Sequence, residues 1–307
     1  MKKCFPAVFL LTAICVLLLA AVTKLRLRSL PDRLLPPQEE LENVQFLSRG
    51  GEPLSRTYAN AWNYQQQVNL EEIPPLLLKA VITAEDRRFF SHLGNDYKSI
   101  LGAMRDAVIH RRIVRGGSTI SEQVLRMLHP RPRTVWSRWL EFWEVRQLEE
   151  VFSKGEILEF YLNQVPFARN RRGVKAAALD LFDRDLSTLS PRESLLLAVL
   201  IRAPSRLDPR RTAAPALAWR IEALAESLWS SGQIDEEQLN AIRSSEYELS
   251  EPNLEVEASH FVRYLKKRSK SGRTPFPYVR TSLDAGLQRA AQDLLGRRVV
   301  ELGKRDV

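Results

Sequence analysis

The sequence predicts a mainly α-helical protein with a small β element and an N-terminal transmembrane helix. Apolar residues recur at helical spacing over much of residues 75–302, whereas strand-like runs are few. The transmembrane helix is predicted by residues 5–22, which carry no charged side chain. A helix of that length extends about 27 Å, just enough to cross a hydrocarbon core of roughly 30 Å.

Charge and cysteine content limit the class of protein. The 307 residues carry a formal charge of +9 and 44% of them are apolar, which suits one or two folded domains. A positive charge favours anionic partners, and charge alone leaves both nucleic acid and anionic lipid open. Cys4 and Cys15 are the only cysteines, so the chain can build neither a disulfide framework nor a Cys/His zinc cluster.

The apolar N-terminal run can be interpreted as an uncleaved anchor or as a cleaved signal peptide. The apolar part of a signal peptide is usually about 7–15 residues long. The run here is longer, and no small-x-small cleavage site precedes Lys24. We therefore favour the anchor. Basic residues flank both of its ends, but so short an N-terminus normally stays inside the cell, which places the body outside the cytoplasm.

The next segments predict a linker and a β element. Pro31, Pro36 and Pro37 prevent a regular helix in residues 29–43, which we interpret as a juxtamembrane linker. Residues 44–47 and the chain from residue 54 onward are predicted to pair as a short hairpin around a glycine turn at residues 49–52.

Helix signals then follow one another along the chain. Pro75 suits a helix start, and the almost wholly apolar residues 76–84 indicate a helix that is buried on most sides. Ser190, Pro191 and Glu193 form a capping-box start. Further helices are predicted near residue 120 and at residues 136–152, 156–162, 194–201, 214–229 and 235–242.

The chain becomes polar and basic at residues 252–277 and then leads into an amphipathic helix at residues 285–302. Leu287, Ala291, Leu294 and Leu295 of that helix are expected to be buried against another element. The predicted organisation is a cytoplasmic stub and anchor (1–28), a linker (29–43), one main domain (44–250), and a linker with the truncated start of a second domain (251–307).

A carboxylate pair, Glu85 and Asp86, ends the apolar helix that begins at Pro75. A carboxylate that leaves an apolar neighbourhood at the edge of a cleft is a candidate general base. The alternative is an exposed acid paired with Arg87 or Arg88, and the residues alone favour it.

A glycine-rich turn, residues 116–119, precedes the helix predicted near Ile120. Its free backbone amides and the Ser118 and Thr119 hydroxyls suit a phosphate group. An ordinary Ser/Thr N-cap explains the same residues and is favoured when they are taken alone.

Glu141 lies three residues after Arg138 on a tryptophan-rich helix, which puts both side chains on one face. A surface salt bridge is the alternative. The tryptophans of this helix are expected to pack in a core or an interface rather than to form a sugar platform. The four histidines share no metal-ligand spacing.

Together these segments resemble the peptidoglycan glycosyltransferase (family 51 transglycosylase) domain of class A penicillin-binding proteins. The resemblance runs from about residue 44 to about residue 250. Residues 128–134 and 165–167 are most similar to the penicillin-binding protein 1C branch. Residues 281–288 are similar to the segment that opens the transpeptidase domain, which this chain is expected to lack. The matching segments are residues 84–94, 116–123, 138–141, 148–149, 153–158, 161–163, 173–177, 189–198 and 203–204.

The resemblance implies a lysozyme-like fold and a hexosyltransferase that polymerises lipid II with inversion and release of undecaprenyl pyrophosphate. It also implies a single-pass protein of the bacterial inner membrane, with the catalytic domain on the periplasmic or outer face. The expected partners are lipid II, the growing glycan strand, the membrane and other cell-wall synthesis proteins, and no nucleic acid.

The resemblance also assigns roles to individual residues. Glu85 is expected to be the general base, and Glu141 the second catalytic residue, which holds the pyrophosphate with Arg138 or through a divalent cation, Mg²⁺ or Mn²⁺. The other expected substrate-binding residues are Asp86, Phe89, His92, Gly117, Ser118, Thr119, Gln123 and Arg126.

The chain departs from the family's pattern at Glu122, Ser137, Ala168 and Asp183. Glu122 places an acid beside the expected phosphate site, and Asp183 replaces a glycine. Two other functions therefore stay open: a catalytically weakened membrane scaffold of the cell-wall machinery, and a lytic glycan-cleaving enzyme on a lysozyme-like fold.

Overall fold

The computed structural model describes residues 5–37, 44–54, 61–98, 101–102, 118–250, 256, 258–268 and 278–303, and most of them are helical. The named helices are α1 (Phe5–Arg26), α2 (Pro75–Glu85), α3 (Ile120–Leu128), α4 (Val135–Val151), α5 (Lys154–Gln164), α6 (Val174–Phe182), α7 (Pro191–Ile201), α8 (Ala214–Ser230), α9 (Glu236–Ser244), α10 (Ser259–Arg268) and α11 (Ala285–Gly303). The strands are β1 (Gln45–Leu47) and β2 (Tyr278–Arg280). The prediction of a mainly helical protein with a small β element is confirmed.

The chain divides into two compact units. Unit 1 contains Met1–Leu34 and Glu85–Tyr161, and unit 2 contains Leu35–Ala84 and Leu162–Val307. Each unit is therefore assembled from two separate stretches of the chain. The domain boundaries expected at residues 28, 43 and 250 stay predictions.

Unit 1 is built around the packing of α3 against α4. The buried apolar side chains of the two helices are Ile120, Val124, Leu125, Leu140, Val145 and Leu148. Both helices begin with threonine N-caps, since Thr119 Oγ1 accepts from Glu122 N at 3.1 Å and Thr134 Oγ1 accepts from Ser137 N at 3.0 Å. These caps and buried stripes leave the other face of α3 available for polar side chains.

Helix α1 covers the apolar run for which a helix is predicted. Its end is held within unit 1, where Trp139 Nε1 donates to Thr23 Oγ1 at 2.9 Å and Arg28 N donates to the buried Glu144 carboxylate at 2.8 Å. Among the described residues, no helix is long and apolar enough to span a membrane.

The tryptophans of α4 do not enter the core. Trp136, Trp139 and Trp143 are all more than a third exposed. Trp139 stacks on Phe142, and Trp143 meets both rings edge to face. The buried positions of α4 belong instead to Leu140, Val145 and Leu148.

The core of unit 2 is formed by α7, which packs against α6, α8 and α9. All residues from Glu193 to Ile201 are buried. The predicted capping box is confirmed, because Ser190 Oγ accepts from Glu193 N and Glu193 Oε2 accepts from Ser190 N at 2.8 Å. The helices predicted at residues 194–201, 214–229 and 235–242 are likewise present as α7, α8 and α9.

The β element differs from the predicted hairpin. Leu47 forms one antiparallel bridge to Pro53, so the glycine turn does reverse the chain. The strand partner of β1 is nevertheless β2, in parallel, with Phe46 opposite Val279. Proline has no N–H to donate, so the segment at Pro53 is a poor partner for a continuous ladder. The pair packs on a buried cluster of Val44, Phe46, Leu54, Val256, Ala258, Val262 and Ala285.

Helix α11 is present as predicted, but its apolar residues are not buried as expected. Leu287, Leu294 and Leu295 are each at least 65% exposed. The helix is attached to unit 2 mainly through its first turn, where Ala285 is buried in the apolar cluster behind β1.

Candidate active site

The predicted general base, Glu85, is the last residue of α2 and is half-buried. Its Oε2 accepts a hydrogen bond from Gln123 Nε2 at 2.9 Å. The Oε1 of Gln123 in turn accepts from the Tyr161 hydroxyl at 3.3 Å. Burial, together with the negative charge of Glu85, raises the pKa of Tyr161 well above its ordinary value. The phenol therefore stays protonated and acts as a lasting donor to Gln123.

Asp86 turns away from Glu85 into the interior of unit 1. Its carboxylate faces His92 Nε2 at 3.0 Å and accepts from Ile120 N, in the first turn of α3, at 3.0 Å. Asp86 and the His92 side chain are both more than 90% buried. The pair therefore holds the residue that follows Glu85 against the start of α3. This contact fixes the direction in which the Glu85 side chain points.

The Thr119 cap is joined to the same loop through Gly94. Thr119 Oγ1 donates to Gly94 O at 2.7 Å. Gly94 has φ +86°, and a Cβ placed there would lie 2.5 Å from Val145 Cγ1. Only glycine fits this position, because both the backbone conformation and the approach of α4 exclude a side chain.

The second residue predicted to be catalytic, Glu141, lies beside Arg126 of α3. The Arg126 Nη1 atom is 3.6 Å from Glu141 Oε2 and 3.6 Å from Glu122 Oε2. Burial, opposed by the charge of Arg126, raises the pKa of Glu122 above its ordinary value. Arg138 is exposed on α4, within electrostatic reach of Glu122.

Helix α3 brings the two halves of the site together. Gln123 and Arg126 are three residues apart on one face of this helix. Gln123 binds Glu85, and Arg126 faces Glu141. The two predicted catalytic glutamates therefore contact neighbouring side chains on the same helix face, about one turn apart.

A further network lies behind the site, and reasoning from the sequence gave three of its members, Ser121, Glu149 and Lys154, no role. Glu149 Oε1 accepts from Lys154 Nζ at 2.6 Å and from Ser121 Oγ, and it is 3.9 Å from His92 Nδ1. Lys154 also lies 4.4 Å from the centre of the Phe89 ring. Glu149 and Lys154 belong to segments that match the family, but no spacing in the chain signals that this network reaches His92.

The remaining expected substrate-binding residues differ in how deeply they are buried. Phe89 is completely buried, and Thr119 is a buried N-cap, so both shape the site instead of presenting a side chain to a ligand. Ser118 is half-buried. Gly117 lies outside the described residues.

A cation site is not built by the side chains around Glu141. The described part of the chain contains no group of three or more His, Cys, Asp or Glu residues that could hold a metal ion. Glu122 and Glu141 offer two carboxylates, and both face Arg126. Because the positive charge of Arg126 already lies beside both carboxylates, the geometry gives no support to a cation there, so the expected Mg²⁺ or Mn²⁺ stays a prediction and carries no step below.

Comparison with known proteins settles the family. A sequence model described as transglycosylase matches residues 50–228, which is more than half of the chain. The chain belongs to the transglycosylase family. This membership confirms the family and the kind of enzyme that the motifs predict.

Curated relatives of this transglycosylase include larger proteins. Penicillin-binding protein 1C of Escherichia coli (strain K12) is 35% identical over 272 residues, which cover 86% of this chain and 34% of that protein. Biosynthetic peptidoglycan transglycosylase of Nitrosomonas eutropha is 39% identical over 145 residues, covering 47% of this chain and 59% of that protein. The chain thus spans about a third of the length of the 1C protein.

The solved structures that resemble the transglycosylase include penicillin-binding protein 1A from Haemophilus influenzae. The match has a TM-score of 0.44 and 18% sequence identity. It covers 84% of this chain and 29% of that one.

Proposed function

We propose that the chain is a peptidoglycan glycosyltransferase that polymerises lipid II into glycan strands, with inversion and release of undecaprenyl pyrophosphate. The observation that carries this proposal is the shared face of α3. Gln123 on this face binds the candidate base Glu85, and Arg126, one turn later, faces Glu141. A proton acceptor and a cationic group for a diphosphate are thereby placed side by side.

In the proposed reaction Glu85 removes the proton of the 4-hydroxyl group of the acceptor sugar. The oxygen of that hydroxyl forms a bond to the anomeric carbon of the donor strand. The bond from that carbon to the diphosphate oxygen breaks, and its electron pair leaves with the lipid diphosphate. Because negative charge grows on the leaving group, Arg126 and Arg138 stabilise the transition state.

The hydrogen bond from Gln123 orients Glu85 for this step. It occupies one carboxylate oxygen, Oε2, and fixes the plane of the carboxylate. The buried Asp86–His92 pair holds the backbone that carries Glu85. We assign these residues positioning roles on a lysozyme-like helical fold, while Glu85 performs the proton transfer.

Membrane attachment is the second part of the proposal. Residues 5–22 form an uncharged run, and in α1 Leu17 is 69% exposed and Leu18 is 60% exposed. Apolar side chains are stable in such positions when lipid surrounds them. We infer a single-pass anchor in the inner membrane, with the body on the outer face, where lipid II, the growing strand and other wall-synthesis proteins are available. The charge of +9 suits an anionic membrane surface.

Glu85→Gln tests the assignment of the base, because glutamine keeps the size of the side chain and cannot accept the proton. The rate of lipid II polymerisation, measured from glycan strands separated on a gel, is expected to fall by a factor of about 10²–10⁴. Glu150→Gln makes the same change of charge at an exposed position of α4 and should polymerise at the wild-type rate. A Glu85→Gln protein as fast as wild type contradicts the assignment.

A second incubation separates synthesis from cleavage. The wild-type protein is mixed with preformed, lipid-free glycan strands, and their length is measured. We expect no shortening. A lytic enzyme would shorten the strands, and that result would replace the proposed function.

A further inference from the structure

Arg126 is shared between two acidic side chains in the part of the site that faces the leaving group. Its Nη1 atom is equally distant, at 3.6 Å, from Glu122 and from Glu141. The side chains of both glutamates are 14% exposed, and that of Arg126 is 35% exposed. The guanidinium is therefore partly open to a ligand, while two carboxylates already attract it.

We propose that Glu122 competes with the diphosphate of the substrate for Arg126 and thereby sets the affinity of the site for that substrate. The inference rests on the proposed function, since it takes the ligand of Arg126 to be a lipid-linked diphosphate. Phosphate and carboxylate oxygens bind the same guanidinium donors, so occupation by one weakens the other. Glu141 faces Arg126 whatever the charge of Glu122, and Glu122 is the carboxylate whose charge varies.

The balance of charge around Arg126 supports this competition. Among the residues that the structure describes, the charged groups that face Glu122 are Arg126 on its own helix and Glu141 and Arg138 on α4. With both glutamates ionised, the charges of these four described side chains cancel, and together they offer no net attraction to an anion. When Glu122 is neutral, one positive charge remains for the diphosphate.

Protonation of Glu122 is a means by which this charge can change with pH. Burial raises the pKa of the Glu122 carboxyl, and the neighbouring Glu141 adds to the effect. Glu122 is therefore neutral up to a higher pH than an ordinary glutamate. Below that pKa Arg126 is released toward the ligand, and above it the ionised carboxylate competes. The KM for lipid II should accordingly rise as the pH rises through this pKa.

A purely structural role for Glu122 predicts a different result. An acid in the first turn of a helix stabilises that helix, and the i,i+4 pair with Arg126 adds a little more. If this were its whole role, Glu122→Gln would lower the melting temperature slightly and leave KM unchanged.

The first experiment measures kcat and KM for lipid II in the wild-type protein and in Glu122→Gln, from about pH 5 to about pH 8. Glu122→Gln should have a KM roughly fivefold lower at the alkaline end, the size expected for one partly exposed ion pair. The difference in KM between the two proteins should shrink toward the acidic end, where protonation removes the charge of Glu122 in the wild type. Glu122→Ala should shift KM in the same direction, and Glu150→Gln should behave as the wild type.

The second experiment uses inorganic pyrophosphate as the probe and measures its binding by calorimetry at the alkaline end of the same range. Glu122→Gln should bind pyrophosphate roughly fivefold more tightly than the wild type. This measurement does not depend on polymerisation. If the wild-type protein is inert toward lipid II but Glu122→Gln binds pyrophosphate more tightly than the wild type does, the proposed function is wrong and the inference stands. Equal pyrophosphate affinity in the two proteins overturns the inference, whatever the polymerisation assay gives.

Discussion

Gln123 contacts two side chains at once, and its amide satisfies both in only one orientation. The amide nitrogen donates to Glu85, while the amide oxygen accepts from Tyr161. After a flip of the amide, its oxygen would face a carboxylate oxygen and its nitrogen would face the Tyr161 hydroxyl. Tyr161 therefore acts on the catalytic base through Gln123, as a positioning residue with no substrate contact of its own.

Tyr161→Phe should lower kcat for lipid II polymerisation about fivefold, because it removes one hydrogen bond with a net value of about 1 kcal/mol. The KM for lipid II should change little, because the amide orientation acts on the proton transfer and not on the anion site. The measurement is a kcat and KM determination on lipid II.

Tyr97→Phe is the matched control for this prediction. Tyr97 is half exposed and meets the ring of Phe142 edge to face. Loss of its hydroxyl should leave kcat at the wild-type value. A Tyr161→Phe protein with unchanged kcat, or with a loss confined to KM, would show that Tyr161 does not orient the base.

Residues whose signals are local were predicted well, and residues joined by distant contacts were not. The position of Glu85 at a helix end and the Thr119 cap follow from neighbours in the chain, and both are confirmed. The meeting of His92 with Glu149 joins residues far apart in the chain. Helical periodicity contains no information about such a contact, because it comes from how α3, α4 and the loop between α2 and α3 pack together.

Helix α4 carries Arg138, Glu141 and Glu149, so its start determines where three site residues lie. Thr134 precedes its first turn, accepts from Ser137 N at 3.0 Å and donates to Ser137 Oγ at 2.9 Å. Ser137 itself is buried, so this departure from the family's pattern forms part of the helix cap.

Thr134→Ala should lower the free energy of unfolding by about 1 kcal/mol, the usual loss for removal of a threonine N-cap. Urea denaturation followed by circular dichroism measures the change. Thr188→Ala, at the exposed end of the short 3₁₀ segment Leu186–Thr188, should stay within about 0.5 kcal/mol of the wild type. If both variants lose the same free energy of unfolding, the cap of α4 contributes no more to stability than the Thr188 hydroxyl does.

The Asp183 departure is explained by a single backbone conformation. Asp183 is the C-cap of α6 and has the left-handed values φ 51° and ψ 40°. Glycine takes this conformation freely, and aspartate is among the residues that tolerate it best. The helix therefore ends in the way a glycine would end it, at a modest cost in strain.

Helices were predicted from the sequence, and the strand pairing was not. Each helix is indicated by apolar periodicity and by capping residues that lie close together in the chain, as at Pro75 and Ser190. The pairing of β1 with β2 continues in the hydrogen bond from Thr281 to Leu47, two residues separated by 234 positions. No local pattern specifies a parallel partner at that distance, so the sequence predicts only the nearer contact with Pro53, which is present as one antiparallel bridge.

At the scale of the whole molecule, the described candidate site residues all lie within one unit. Glu85, Gln123 and Glu141 belong to unit 1, which runs through Glu85–Tyr161. The sequence predicted a single continuous domain at residues 44–250, whereas compactness divides that span between two units. Motif order reveals the family and predicts the site, but compact units depend on contacts between stretches that composition does not distinguish.

Helix α1 provides the last prediction, which concerns how the molecule is placed in the cell. Leu17 and Leu18 lie in the middle of the helix and are exposed, on the part of α1 that the proposal sets in lipid. An aspartate near the centre of a membrane helix costs about 2.5–3.5 kcal/mol. Changing both leucines to aspartate should therefore remove most of the protein from the membrane fraction that resists an alkaline carbonate wash. Leu25→Asp, next to Lys24 at the end of the helix, should remain in that fraction, because an interfacial charge reaches water. A double variant retained as fully as the wild type would mean that contacts other than α1 hold the protein at the membrane.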